Sequence, residues 1–289
     1  MTTIVSSFPL NQTGLVSIWT EGVVYGIFLP IFFTALYVLL GKHQDAEKIN
    51  KPMLFTTLLM FCLATAHVSI DAWRMMAGYV YLDASSNEPT AFFRNMDQPT
   101  FSAKYAIYVS QNLVGDAFNI YRSWLVWQRT YWILPGPIVL WAASAATGYY
   151  CSGYLFSIAS NTDSIFNPPY KSWITAFYVL VLAQNFISTT LIVVKLCERE
   201  RRIRNQSKGP GTMSLHPVVV IVVESALLFL CAQLVLLILF ATNSNAQFIV
   251  LESLSSLAGI TFCLVIIRIA MHSQQFLAIS PPNSGVGTP

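Results

Sequence analysis

Seven long apolar runs, each closed by polar or charged residues, set the hydropathy pattern of this chain. They cover residues 18–41, 53–78, 104–128, 131–155, 172–196, 217–241 and 246–270. At roughly 24 residues each, rising about 1.5 Å per residue, they exceed the 20 or so needed to cross a hydrocarbon core of about 30 Å. Stretches such as 218–223 and 227–240 are apolar on every side, as a helix in lipid is and an amphipathic surface helix is not. Only helices and closed barrels satisfy their backbone in a membrane, and barrel strands are about 10 residues of alternating character. The pattern therefore predicts an all-α fold, a polytopic membrane bundle of seven transmembrane helices in one domain over residues 18–272. A segment 1–17 precedes it. A disordered tail 273–289, with Pro281, Pro282, Gly285, Gly287 and Pro289, follows it.

Composition agrees: 55% of residues are hydrophobic and 10% charged, against about 25% charged in a soluble domain. The first run is too long for a signal peptide and lacks a basic leader, so it reads as the first span. No soluble domain of useful size remains. The lipid bilayer is the expected partner, and nothing marks a nucleic-acid partner.

Charge distribution orients the bundle. Assigning loops to alternating sides puts Lys42, Lys48, Lys51, Arg122, Arg129, Lys195, Arg199, Arg201, Arg202, Arg204, Lys208 and Arg268 on one side, and only Arg94, Lys104, Lys171 and Arg74 on the other. The positive-inside rule makes the first side cytosolic, with the N-terminus outside and the C-terminus cytosolic. The plasma membrane is the default location. Asn11-Gln12-Thr13 is a glycosylation sequon on the outer side. None of the five cysteines lies in a predicted outer loop, which argues against an extracellular disulfide. Cys197, beside Arg199, Arg201 and Arg202, is a candidate for palmitoylation. The basic segment 197–216 is a candidate docking site for a cytosolic partner, and attraction to anionic lipid explains it equally.

Charges inside a span cost about 2.5–3.5 kcal/mol at its centre on insertion scales, so they are expected to be paired, wet or functional. They fall into three layers. His67, Asp71 and Arg74 share one face of the second run by their spacing, which predicts an Asp71–Arg74 pair, and Glu252 lies at similar depth near the start of the seventh run, with Glu21 shallower. Asn112, Asp116, Asn119 and Ser123 make a polar stripe on the third run, which cannot face lipid and places that helix centrally. Gln184, Asn185, Ser188 and Thr189 of the fifth run and Gln233 of the sixth are expected to face it. The outer group His67, Asp71, Arg74 and Glu252 and the stripe Asn112, Asp116 and Asn119 are the candidate pocket residues for a small molecule, peptide or ion. Arg122 and Glu224 each lie about 10 Å from the cytosolic end, which predicts an ion pair closing that side, a switch element.

These residues also carry a resemblance. Glu21-Gly22-Val23-Val24-Tyr25-Gly26, the spacing of His67, Asp71 and Arg74, Gln111-Asn112-Leu113-Val114-Gly115-Asp116 running into Tyr121-Arg122-Ser123-Trp124-Leu125-Val126-Trp127, Trp173-Ile174-Thr175-Ala176-Phe177, Val223-Glu224-Ser225 and Leu264-Val265-Ile266-Ile267-Arg268 resemble a family of uncharacterised seven-helix membrane proteins of mushroom-forming (basidiomycete) fungi. The resemblance covers nearly all the helical part. It implies seven spans with an outside N-terminus and brings no activity with it. G-protein-coupled receptors are similar in topology only: Arg122 follows Ile120-Tyr121 rather than an acidic residue, and the Asn-Pro-x-x-Tyr motif is absent.

Three classes of function follow. A receptor-like sensor would bind a ligand at an outward-facing polar pocket, formed by the outer group or by the Asp116 stripe, and relay it through Arg122 and Glu224 to the basic loop. A transporter or channel would use Asp116 for a cation or proton. A membrane-embedded enzyme fits least: His43, His216 and His272 lie near the cytosolic face without metal-ligand spacing, and no cofactor or metal is expected. A retinal pigment is disfavoured because no lysine lies in the interior of a run.

Overall fold

The computed structural model describes residues 10–41, 51–80, 98–157, 170–206 and 216–279, with the backbone alone at 10, 11, 155–157, 203–206, 216–222 and 269–279. Among the described residues seven α-helices appear in chain order: α1 (Leu10–Gly41), α2 (Lys51–Tyr79), α3 (Pro99–Val126), α4 (Pro135–Ser157), α5 (Tyr170–Gln206), α6 (His216–Ala241) and α7 (Gln247–Ile279). A 3₁₀ turn, Tyr131–Ile133, precedes α4, and no strand occurs among the described residues.

Helix starts follow local chemistry. Proline occupies the first or second position of α2, α3, α4 and α6, where its missing N–H costs no intrahelical bond. Pro30 lies inside α1, and Thr34 Oγ1 donates to its carbonyl at 2.7 Å. Beyond α3 the chain turns through Gln128 and Arg129, both at positive φ (54° and 64°), while the Arg129 N–H caps Trp124 O at 2.9 Å.

Five helices are long and apolar enough to cross a membrane: 12–41, 51–79, 170–202, 223–241 and 247–268. The two outside that set have visible reasons. Helix α3 carries Lys104, Gln111, Asn112, Asp116, Asn119 and Arg122, and α4 is rich in Ala, Gly, Ser and Tyr. The surface is that of an integral membrane protein. Tyr37, Phe33, Phe55, Phe186, Leu227 and Leu228 are exposed, while Glu21, His67, Asp71, Lys104, Asp116 and Glu252 are buried. A soluble monomer rarely exposes so much contiguous apolar surface.

The helices close a ring in chain order, with α7 packed most extensively on α1, and α3 runs inside the ring against α2, α4, α5 and α7. One end, where α1 finishes and α2 begins, carries Lys51, Arg129, Lys195, Arg199, Arg201 and Arg202; it is called the basic end below, and the other the far end. Two apolar clusters fill the interior. Tyr105, Tyr108, Val109, Phe177, Tyr178, Leu236, Phe240 and Leu254 join α3, α5, α6 and α7. Phe28, Phe32, Ala64, Phe118, Ile260, Phe262 and Ile266 join α1, α2, α3 and α7.

Glycine permits two close approaches, as in other helix pairs that pack without a hydrophobic driving force between them. A Cβ on Gly259 of α7 would lie 2.8 Å from the Phe28 ring of α1, and one on Gly148 of α4 would lie 2.7 Å from Val109 and 2.8 Å from Phe177. Serines do similar work between α3 and α4: Ser102 Oγ donates to Ser152 O at 2.8 Å and Ser152 Oγ to Ser102 O at 3.2 Å.

Several expected boundaries shift. Helix α1 begins at Leu10, so Asn11 of the sequon lies in its first turn rather than in a loop. Helix α3 begins at Pro99, five residues before its apolar run, and a 3₁₀ turn occupies the start of the fourth run. Helix α5 continues through Gln206, carrying Cys197 and the first basic residues on a helix. The tail expected to be disordered from 273 is helical through Ile279, because 273–279 still holds good helix formers such as Gln274, Gln275 and Leu277; residues 280–289 lie outside those described.

Overpacking a filled site costs about 1–3 kcal/mol. Gly259→Val is therefore expected to lower the thermal unfolding temperature in detergent, whereas Gly26→Val, whose Cβ would meet nothing within 4 Å, leaves it nearly unchanged. Differential scanning of the two purified variants checks this.

Candidate functional site

Two buried polar sites are stacked along α3. The far-end site joins four helices. Lys104 Nζ of α3 lies 2.6 Å from Asp71 Oδ1 of α2 and 2.7 Å from Glu252 Oε1 of α7. His67 of α2 sits between two more carboxyl groups: its Nδ1 is 2.6 Å from Glu21 Oε1 of α1, and its Nε2 is 3.5 Å from Glu252 Oε2. The contacts run Glu21–His67–Glu252–Lys104–Asp71, Asp71 also faces Glu21, and every member is at most 6% exposed. Glu21 Oε2 and Glu252 Oε2 have no hydrogen-bond donor.

Lys104 is the residue that sequence reasoning missed. It stands at the first position of the third apolar run and therefore reads as an interfacial charge. Because α3 starts at Pro99, Lys104 is in its second turn and is buried. The expected Asp71–Arg74 pair does not form. Arg74 Nη1 instead donates to Thr100 Oγ1 at 2.9 Å and Gln98 Oε1 at 3.4 Å, with its guanidinium 5.3 Å from the Phe101 ring centre. An intrahelical pair would strand the Lys104 ammonium away from water, so the lysine takes the acid and the longer arginine reaches the start of α3. The argument against a retinal pigment from the lack of an interior lysine thereby loses its premise; the Lys104 amine is engaged by two carboxylates.

The second site lies nearer the basic end. A cavity of about 80 Å³ is lined by Asn112, Asp116, Asn119 and Arg122 of α3, Met60 of α2, Asn185 and Thr189 of α5, Ser225 and Phe229 of α6, and Ala258, Thr261 and Val265 of α7. A water needs about 10–15 Å³ of such space, so several waters or a hydrated cation fit, and a ligand of drug size, at about 300 Å³ or more, does not. Asp116 is 2% exposed, and its Oδ2 has no hydrogen-bond partner. On one wall Asn119 Nδ2 reaches Asn185 Oδ1, and Asn185 Nδ2 reaches Gln233 Oε1, each at 3.4 Å. Gln184 of α5 donates to Ser188 Oγ within its own helix at 3.3 Å. Above the cavity Gln111 Nε2 donates to Ser255 O and Ser255 Oγ to Gln111 Oε1, both at 2.6 Å, closing α3 onto α7 between the two sites.

Asn112, Asp116 and Asn119 thus belong to one site and His67, Asp71 and Glu252 to another, with Arg74 beside the second. The outer group and the α3 stripe are separate, as their different depths imply. The Asp116 part extends toward the basic end rather than facing out, because the α3 stripe continues to Arg122 while Gln111 is tied to Ser255. No protein-family model, curated protein or solved structure matches this chain.

The Arg122–Glu224 pair is absent among the described residues. Arg122 lies with its guanidinium 5.9 Å from the Phe118 ring centre and lines the cavity. Glu224 is exposed. Its neighbour Ser225 is the residue that α6 turns into the cavity, and one step along a helix rotates a side chain by about 100°.

A third feature lies at the far end, where Tyr105, Tyr170, Tyr178, Phe240, Phe248 and Gln247 surround a recess of about 20 Å³. Tyr105 Oη and Gln247 Nε2 are buried there without partners. At the basic end Lys195, Glu198, Arg199 and Arg202 of the α5 extension and Leu125 and Gln128 after α3 line a groove of about 330 Å³.

Removing one partner of a buried ion pair costs about 3–5 kcal/mol because the other charge stays buried. Lys104→Met strands two carboxylates. It is expected to lower stability by about that amount or to prevent folding, while Lys171→Met, which removes an exposed bond to Asn243, changes it little. Thermal unfolding and the monodisperse yield in detergent read the difference.

Proposed function

We propose that this protein is a seven-span, receptor-like membrane sensor with its basic end in the cytosol, and that the signal travels as a displacement of α5 and α6 against α3. The observation that carries this reading is the position of the polar cavity. It lies on the seam between helices stapled by charge (α1, α2, α3 and α7) and the α5–α6 pair, and its wall is closed by two amide contacts of 3.4 Å. Bonds of that length are weak, and an interface so held is suited to two packings. The aromatic recess lies on the same seam at the other end, where a small molecule or peptide entering between Tyr105, Tyr178 and Phe240 would wedge α5 and α6 outward. The α5 extension would carry that movement to the basic groove, where a cytosolic partner or anionic lipid would meet Lys195, Arg199 and Arg202.

Arg122 supports the same direction of signalling. It is an arginine facing the cavity at the basic end, with no acidic partner among the described residues, and so is available to a group that enters when the seam opens. The proposed orientation rests on the excess of Lys and Arg at the end where α3 and α5 finish. Cation or proton transport is the second reading, favoured by the unpartnered Asp116 Oδ2 in a cavity with room for water.

An epitope tag before Met1 is expected to be labelled on intact cells, and one after Pro289 only after permeabilisation; the reverse would invert the orientation. Spin labels at Gln128→Cys and Cys197, with Cys62 and Cys231 replaced by serine, measure the seam. Asn185→Ala combined with Gln233→Ala is expected to broaden and lengthen that distance, and Lys171→Ala to leave it unchanged. An unmoved distance sinks the sensor mechanism. In proteoliposomes, proton or cation flux that disappears in Asp116→Asn would replace the sensor reading with transport.

A further inference from the structure

We propose that Glu21, His67 and Glu252 form a buried binding site for one divalent transition-metal cation of the zinc class. One donor atom from each lies within 4.8 Å of the others, and all three residues are buried. They come from α1, α2 and α7, so an ion there would tie three helices together.

The contacts of His67 lead to this site. Nδ1 is 2.6 Å from Glu21 Oε1, and against an ionised Glu21 the nitrogen is the donor. The other nitrogen, Nε2, then presents its lone pair to Glu252 Oε2 at 3.5 Å. That separation is too long for a good hydrogen bond, and two electron-rich atoms facing each other in a buried site repel. A cation between them reverses the sign. Two ligands bound at about 2.05 Å on a tetrahedral ion stand about 3.4 Å apart, close to the observed spacing. Glu21 then has the place of the carboxylate that fixes the tautomer and orientation of a metal-binding histidine. Glu21 also faces Asp71, so it acts from outside the ion's immediate shell, and His67 Nε2 and Glu252 Oε2 are the direct ligands. On the other side, Lys104 holds Glu252 Oε1 at 2.7 Å, which leaves Oε2 aimed at His67.

Local charge admits a cation. The groups in direct contact are three carboxylates, one ammonium and an imidazole. Arg74, bonded to Thr100 and Gln98, also interacts electrostatically with Asp71 and Glu252. The carboxylates outnumber these two cationic side chains, and either a metal ion or protons offset the excess. The choice between metal and protons is what an experiment must decide. An imidazole with carboxylates suits zinc and its neighbours better than calcium or magnesium, which prefer oxygen alone.

The intact protein, purified in detergent through a tag without histidines, is stripped with chelator and titrated separately with Zn²⁺, Mn²⁺ and Co²⁺. Elemental analysis after desalting is expected to find about one Zn²⁺ per chain, as a single buried site requires, with a rise in unfolding temperature that chelator reverses. Co²⁺ is expected to give visible absorption of a low-coordinate site and to be displaced by Zn²⁺. His67→Asn and Glu252→Gln should abolish stoichiometric binding, Glu21→Gln should weaken it about 10–100-fold as loss of an orienting carboxylate does, and Lys171→Met, at an exposed residue outside both sites, should leave it unchanged. No retained metal and no metal-dependent shift in unfolding would overturn the proposal in favour of a proton-filled cluster. Binding unchanged in His67→Asn would overturn it as well. If the variants do not fold, the stoichiometry and Co²⁺ spectrum of the unmutated protein still decide.

Discussion

The burial of Lys104 is the constraint from which the rest of this bundle is organised. An ammonium without water is costly, and neither a single acid nor an acid on its own helix meets it here: Asp71 and Glu252 converge on it from two neighbouring helices. Those acids bring His67 and, through it, Glu21 into the same buried layer. Each contact depends on the next being in place. The series therefore fixes the relative depth and rotation of α1, α2, α3 and α7 together. Shifting any one of the four by a residue turns its side chain about 100° out of the series and leaves a charge unpaired.

The other side of the molecule is held differently. Helices α4, α5 and α6 meet α3 through aromatic packing, small residues and amide contacts, with Gly148 against Phe177 and Asn119 reaching Asn185. None of these interactions is lost all at once when the helices slide, because packing and long hydrogen bonds weaken gradually while a buried ion pair does not. The fold thus has a part held by charge and a part held by packing. The polar cavity lies where they meet, and water entering there would let its polar wall open without stranding donors.

How much of this was legible in the chain depended on whether a property was one-dimensional. Helix existence, the central place of α3 and the gathering of Asn119, Asn185 and Gln233 followed from hydropathy and helical spacing, because a polar stripe has nowhere else to go. Depth along a helix was also readable, and Arg122 and Glu224 do lie toward the same end. Rotation about the axis was not weighed, and it decided the pair. The signal was present: Ser225, Phe229, Gln233, Leu236 and Phe240 recur at helical spacing as the inner stripe of α6, while Leu227 and Leu228 mark the outer face beside Glu224. Lys104 escaped for another reason. An apolar run measures contact with lipid, whereas a helix begins where its backbone is capped, here at Pro99.

Glu224 follows the same energetics from the lipid side. Among the described residues no partner neutralises this carboxylate on the outer face of α6, so the cost that encloses Lys104 drives its side chain toward the headgroups from within an apolar run that extends on both sides of it, 218–223 and 227–240. Tryptophans mark both ends of the bundle: Trp19, Trp73 and Trp173 are exposed at the far end and Trp132 at the basic end, and indole rings favour a membrane interface. Asp116 lies nearly two turns from Arg122 along α3, so the polar cavity takes the half of the bundle toward the basic end while the Lys104 cluster takes the half toward the far end.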